Sequence, residues 1–483
     1  RVMRSYLAEP YIEHLRRNTT ERVRTLTNSL ALIFRAAFVQ SFNAMGDLFS
    51  VVMVGAVLAI VDPLLAAVSG GYFAAVTFGY HRGARRVMDR AAYEVHVGQA
   101  VDLRTIQQPL AAVKDVKLRG AEDHFADDVF EVRTRLLPPH RAMALSSVLP
   151  RYVLELAMVG AAALIALVAF ATQPTGTAAA TVGVFLVGGF RMLAPLNKVI
   201  FGFTQARGAL PSLDQVRADL EPRGEPTEVV SSPARPGELR PRIRLRDVTF
   251  EFVPGVPVLK DVTLDIEPGE DVGFVGSSGA GKSTLVDVIL GVLDPQRGEV
   301  LIGEWPIAMV RPRWQRMIGY VPQSIVLFDD TVRANVALGL RPEEVDEEQL
   351  LHALSLAQLD DVVRSLGNGL DQVIGEGGVQ LSGGQRQRLG IARALYHDPK
   401  VLIFDEATSA LDAETEFKLN QVLDALRGRF TTITIAHRLS TVRRCDRLWY
   451  LDQGRILADG TFEDLDARIP GFARMVELSR MDR

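Results

Sequence analysis

From Leu156 to Phe190 the chain carries no charged residue, and from Leu48 to Tyr80 it carries one, Asp62. No other feature constrains the fold as tightly, because an apolar helix that cannot hide in a core has to be solvated by lipid. Each stretch is broken near its middle by turn residues, Asp62-Pro63 in the first and Gln173-Pro174-Thr175-Gly176 in the second. The pattern predicts two helical hairpins, hence four spans, with flanking residues completing the roughly 20 that a span requires. The competing reading, a helix pair buried in a soluble core, is disfavoured by the absence of charge.

Arg16, Arg17, Arg22 and Arg24 precede the first hairpin, and Arg82, Arg85, Arg86 and Arg90 follow it. Lys and Arg collect on the cytoplasmic side, so both ends of that hairpin are expected there. Residues 1–220 hold 23 Lys/Arg against 17 Asp/Glu, leaving 31 against 41 for the rest, so the halves carry +6 and −10. Neither value suggests a nucleic-acid surface; the expected partner is a lipid bilayer. Residues 81–147 are charged and helix-compatible, predicting helices that run on into the cytoplasm. Cys445 is the single cysteine, which excludes an internal disulfide and suits a reducing compartment.

Residues 221–241 contain five prolines and no apolar periodicity, the mark of a linker. The expected organisation is an all-α transmembrane helical bundle over 1–220, the linker, and an α/β domain over 242–483, where strand-like runs such as Asp271 to Val275 and Val401 to Phe404 alternate with helical ones. The chain opens on Arg1, and its first 25 residues lack the apolar core of a signal peptide, so a segment upstream is expected.

The motif GSSGAGKS lies between the strand-like DVGFV and the helical TLVDVILGVL. This is the P-loop pattern in its required context. Gly276, Ser277, Ser278, Gly279, Ala280 and Gly281 would fold backbone N–H groups around phosphate oxygens. Lys282 would reach the β and γ phosphates, Ser283 would hold Mg²⁺, and Thr284 continues the site into the helix. VLIFDE ends an apolar strand in two carboxylates, assigning Asp405 to the Mg²⁺ shell and Glu406 to the base for an attacking water. ATP and Mg²⁺ are the implied cofactors.

LSGGQRQR, from Leu381 to Arg388, separates this chain from a generic P-loop enzyme. With Phe252, the P-loop, Gln323 in YVPQ, LSGGQ, VLIFDE, SALD from Ser409 to Asp412, and His437 in IAHRLST, the sequence resembles an ATP-binding cassette (ABC) domain, all elements in family order. The resemblance implies that Phe252 stacks on adenine, although a core aromatic is the plain alternative. It implies that Gln323 touches Mg²⁺ and the attacking water, and that His437 contacts the γ-phosphate. Leu381, Ser382, Gly383, Gly384 and Gln385 would act in trans across a homodimer, with Asp412 at the dimer seam.

The order of domains resembles the ABC exporters, in which six membrane helices precede the cassette. The resemblance implies that the first two are absent here, leaving the third to the sixth, and that Lys114 to Phe125 is the second coupling region. YIEHLRRNTTERVRTLTNS, Tyr11 to Ser29, together with GKSTLVDVILGVLDP and GVQLSGGQRQRLGIARALYHDP, resembles the exporters that flip lipid-linked oligosaccharides across a bacterial inner membrane. The implied cargo is amphipathic or lipid-linked, with drugs, other lipids or peptides as the alternative. An ATP-gated channel or regulatory subunit would need a polar stripe that the hairpins lack.

Helix arithmetic adds a clue about the path. Asp47, Glu155 and Arg191 each fall roughly 20 to 26 Å inward from the outer turns at about 1.5 Å per residue. Charges at one depth tend to pair or line a cavity, so Arg191 is a candidate for an anionic headgroup, with snorkelling to the interface as the alternative.

Overall fold

The computed structural model describes residues 2–481 apart from 17–18, 221–238, 406–420, 423–425 and 436–438. Most of the linker expected at 221–241 thus lies outside the described residues. The chain divides into two compact units, one of Arg1–Glu9 with Arg16–Gly224, the other of Pro10–Leu15 with Glu225–Arg483.

In the first unit, the helices Ser41–Val61, Pro63–Ala111, Glu122–Thr172 and Thr175–Gly208 are long and apolar enough to cross a membrane. The middle two have 49 and 51 residues. At 1.5 Å per residue each is about 75 Å long, more than twice a ~30 Å hydrocarbon core, so both helices run well beyond the length of a span, through most of residues 81–147. Between them lies the short helix Val113–Arg119, closed by Gly120 in the left-handed conformation. That is where the sequence placed Lys114 to Phe125.

Both predicted turns are present. Asp62 caps the helix Pro63–Ala111, its Oδ1 accepting from the backbone N–H groups of Leu64 and Leu65 at 3.0 Å each, with Pro63 at the first helical position where its missing N–H costs nothing. Its Oδ2 accepts from Gln173 Nε2 at 2.6 Å. One carboxylate therefore ends the first hairpin and ties it to the second, above a buried layer that includes Leu58, Leu65, Ile165 and Phe185.

The second unit has two sheets. In the smaller, β1 (Ile243–Val253) pairs with β2 (Val256–Ile266) and β4 (Arg297–Ile302), and β4 with β5 (Trp305–Pro306), all antiparallel. The larger runs β10-β9-β3-β8-β7-β6, made of β3 (Asp271–Gly276), β6 (Ile318–Val321), β7 (Val401–Asp405), β8 (Thr431–Ile435), β9 (Arg447–Asp452) and β10 (Arg455–Gly460). Only the β9–β10 pair in it is antiparallel. Every residue of β3, β7 and β8 is buried, as expected of parallel strands covered on both faces. Pro10–Leu15 belongs with this unit because Ile12 packs against its main core. Segmenting the sequence at 220 does not separate out this short piece, since composition cannot locate the core on which an apolar side chain lands.

Candidate nucleotide site

β3 lies in the sheet between β8 and β9, with Phe274 opposite Ile435 on one side and Trp449 on the other. The loop after it therefore emerges at the carboxyl ends of parallel strands, where open α/β sheets bind ligands. Gly276 has φ +152°, and a Cβ there would sit 2.0 Å from the carbonyl oxygen of Leu451, so only glycine lets the loop leave the strand so close to β9. The loop is buttressed by the β9–β10 turn: Gly454 N donates to Ala280 O at 3.1 Å, and Ser277 Oγ to Asp452 Oδ1 at 3.2 Å.

The helix Lys282–Ile289 follows directly, with Gly281 at its N-cap and no side-chain cap. Its first N–H groups thus open onto the loop, and with the positive end of the helix dipole they form an anion site. Lys282 is 5% exposed, and its Nζ donates to the carbonyls of Gly276 at 2.8 Å and Ser277 at 3.0 Å. Those carbonyls satisfy part of the hydrogen-bonding demand of a buried ammonium. Ser283, in the first turn, is exposed.

Asp405 ends β7 and is 8% exposed. Tyr320, on the neighbouring strand β6, donates its hydroxyl to Asp405 Oδ2 at 3.3 Å. Asp287, on the P-loop helix, shares that electrostatic neighbourhood. Burial, and then the charge of Asp405, push its carboxyl up to about 6, while burial and the same charge raise the Tyr320 phenol. The Ser283 hydroxyl and the Asp405 carboxylate are oxygen donors of the kind a hard divalent cation takes.

The signature segment forms a second helix N-terminus. Leu381 is buried and anchors it, while Ser382 and Gly383 are exposed and Gly384 is buried. Ser382 caps the helix Gly383–Leu395 in a capping box: Gln385 N donates to Ser382 Oγ at 3.2 Å, and Ser382 N donates to Gln385 Oε1 at 2.8 Å. Residues 259–409 match the family model described as ABC transporter. The chain carries an ABC transporter cassette. Its matched relatives include an ATP-dependent lipid A-core flippase of Saccharophagus degradans, 38% identical over 287 residues, which are 59% of this chain and 47% of the relative. A Staphylococcus aureus protein named for multidrug export is 41% identical over 251 residues, 51% of this chain and 43% of that protein. The chain spans about half the length of the curated relatives it matches. Among solved structures, a bacterial Atm1-family ABC exporter with ATP bound is 26% identical, with a TM-score of 0.84 over 99% of this chain and 83% of that one. The membrane helices followed by a cassette are the ABC exporter fold, and the protein is an integral membrane protein.

Other sequence-named residues of the cassette fall into three groups. Phe252 is half-buried near the end of β1, edge-on to Phe250 with ring centroids 4.9 Å apart. The β1–β2 pairing sets it opposite Val256–Pro257, and this aromatic packs on the core. Gln323 is exposed, two residues beyond β6. Glu406, Asp412 and His437 lie outside the described residues; β7 ends one residue before Glu406, and β8 two residues before His437. Tyr320 and Asp287 escaped the sequence reading although both lie in quoted stretches, Tyr320 opening YVPQ, because their motifs assign them no role and only the strand register brings Tyr320 to Asp405. Cys445 is buried against Asp271, which with burial pushes its thiol well up, so it is inert.

The three charges placed at one membrane depth do not meet one another. Lys198 Nζ lies 3.5 Å from Asp47 Oδ1, and Arg151 donates to Glu155 at 2.8 Å one helical turn away. Arg191 is exposed. Depth fixes a residue's height on a helix but not its direction around the axis, and none of the three lines the two cavities described among the residues of this unit. The larger cavity, about 620 Å³, is walled by apolar residues such as Phe73, Met158, Phe185 and Phe203. The second, about 350 Å³, has a mixed lining, with His96, His140 and Arg207 set among apolar residues such as Met88, Val95 and Met143. Near it Arg24, 5% exposed, donates to His96 O and to Gln215 Oε1, each at 2.6 Å.

Proposed function

We propose that this chain is one half of a homodimeric ATP-driven exporter in a bacterial inner membrane, that its cassette hydrolyses ATP in the cytoplasm, and that its cargo is a lipid carrying a glycan through an anionic linkage. The observation that carries the ATPase reading is the buried Lys282 inside an uncapped P-loop that follows β3, in the same sheet as the strand β7 that ends in Asp405, in a chain with four membrane-length helices.

The residues act in definite ways. Lys282 and the first N–H groups of its helix hold and neutralise the phosphates. Mg²⁺ would be held by Ser283, Asp405 and Gln323, and its charge would offset that developing on the transferred phosphoryl group. Glu406 orients and deprotonates the attacking water, and His437 contacts the γ-phosphate. The exposed, capped N-terminus at Ser382 and Gly383 suits the γ-phosphate held by a second copy, with Asp412 at the seam, so two chains complete two sites. Nucleotide binds the closed pair more tightly than the open one, and that difference in affinity drives the conformational cycle.

The cargo reading is supported by the flippase names among the relatives. It is further supported by an apolar cavity and a second cavity of mixed lining on successive stretches of the helix Thr175–Gly208, Ile200 and Phe203 lining the first and Thr204 and Arg207 the second. That succession suits acyl chains joined to a phosphorylated sugar. It moves the anion-facing role from Arg191 to Arg207, His96 and His140. The Staphylococcus relative favours drug export as the second reading.

The test is ATPase activity in liposomes with and without a polyprenyl-pyrophosphate-linked glycan or lipid A-core, with Glu406→Gln as blank. Stimulation by either glycolipid but not by a cationic drug supports the cargo. Stimulation by the drug alone would replace it with the second reading. Undiminished hydrolysis in the Glu406→Gln protein would overturn the catalytic assignment.

A further inference from the structure

The geometry points to Tyr320 as a positioning residue for the metal site: its hydroxyl holds one oxygen of the Asp405 carboxylate, so that the other is presented in a fixed direction to the nucleotide's divalent cation. This inference rests on the proposed Mg²⁺-dependent hydrolysis of ATP.

β6 and β7 are parallel neighbours, with Tyr320 opposite Ile403. Side chains alternate along a strand, so Asp405, two residues beyond Ile403, lies on the same face as Tyr320. A tyrosine ring is long enough to span that diagonal, and the 3.3 Å contact between its hydroxyl and Asp405 Oδ2 closes it. A phenylalanine would fill the same space but leave Oδ2 without this donor. The ring also packs against the main core of the unit, which fixes the hydroxyl's position independently of the carboxylate.

The surroundings explain why such a donor matters. Asp405 is almost wholly buried, and a second carboxylate, Asp287, sits within its field with its proton affinity raised by burial and by Asp405 itself. Tyr11, a further titratable group described in this neighbourhood, also feels Asp287. Two carboxylates in a dry pocket repel, which favours rotation of the Asp405 side chain. A hydrogen bond from a rigid phenol opposes that rotation. Groups that orient a metal ligand in this way typically change metal affinity by about 10-fold or more when removed.

The experiment is a Mg²⁺ titration of the binding of a fluorescent, non-hydrolysable ATP analogue to the full chain in nanodiscs, comparing wild type, Tyr320→Phe, Asp405→Ala and the double variant. In Tyr320→Phe the half-saturating Mg²⁺ concentration is expected to rise about 10-fold, with binding in EDTA and the melting temperature unchanged. In the Asp405→Ala background the tyrosine change should add nothing, because the effect passes through Asp405. An unchanged Mg²⁺ titration, an equal loss in EDTA, or a full additive effect in the double variant would each overturn the positioning role. Mg²⁺-independent binding by the wild type would sink the metal site itself together with this inference, which distinguishes that failure from the others.

Discussion

The two units solve opposite solvation problems with the same residue types. In the cassette, apolar strands are hidden and polar chemistry is pushed to their tips: β3, β7 and β8 are wholly buried, and they end at the P-loop, at Asp405 and just before His437. In the membrane unit the arrangement is turned inside out. Phe42 and Ile60 are 80% and 83% exposed, whereas Arg24, Ser146, Thr204 and Ser212 are buried. Lipid solvates the outer face, so bulk apolarity drives nothing inward, and hydrogen bonds and small or polar side chains knit the interior. A buried polar residue is therefore a point of chemistry in one unit and part of the glue in the other.

The sharpest way to break that contrast is at Lys282. Lys282→Ala should lower ATP hydrolysis by about 100-fold or more, as loss of a preorganised charge at a transition state does, and a steady-state phosphate-release assay would read it. If activity survives, the buried ammonium is merely structural and the contrast fails. Next comes Gly276→Ala, whose Cβ would collide with the Leu451 carbonyl. It should cost the cassette about 2–4 kcal/mol, within the range of severe backbone and packing lesions, measurable as a fall in denaturant midpoint together with lost nucleotide binding.

For the membrane unit the corresponding change is Arg24→Leu, which leaves the His96 carbonyl and the Gln215 amide without their donor. A penalty of about 1–3 kcal/mol is expected in detergent unfolding, with hydrolysis by the cassette little altered. A variant as stable as wild type would mean that the buried guanidinium is not glue. An effect that shows itself through its pH dependence is expected from Asp287→Asn. The folded protein holds this carboxyl near 6, above its ordinary 3.8, so its favourable contribution is full below the ordinary value and is lost as pH rises through 6. Asparagine mimics the protonated form at every pH. The nucleotide-free variant should therefore melt higher than wild type at pH 8, with the gap closing toward pH 4; a gap that is constant across pH would remove Asp287 from the acidic neighbourhood of Asp405.

Much of this architecture was legible before any coordinates. Charge-free stretches interrupted by Asp62-Pro63 and Gln173-Pro174 predict two hairpins because turn chemistry and lipid solvation act locally. The P-loop, the carboxylate strand and LSGGQ were readable because each is a contiguous run whose spacing along the chain is the spacing its chemistry needs. Less legible were residues whose role depends on a neighbour far away in sequence. The common depth of Asp47, Glu155 and Arg191 suggested company, yet Asp47 meets Lys198 and Glu155 meets Arg151, because depth along a helix leaves its rotation open.

What the sequence by itself determined is thus the local part: four apolar helices, an α/β cassette, and the P-loop after β3. Only the tertiary structure decided that Asp62 joins both hairpins through Gln173, that Pro10–Leu15 leaves the membrane unit for the cassette, and that Tyr320 stands over Asp405. The physical reason is common to all three. Capping, turn and helix preferences are set within a few residues, whereas strand register and the landing site of a side chain are set by packing between segments that the sequence holds tens or hundreds of residues apart.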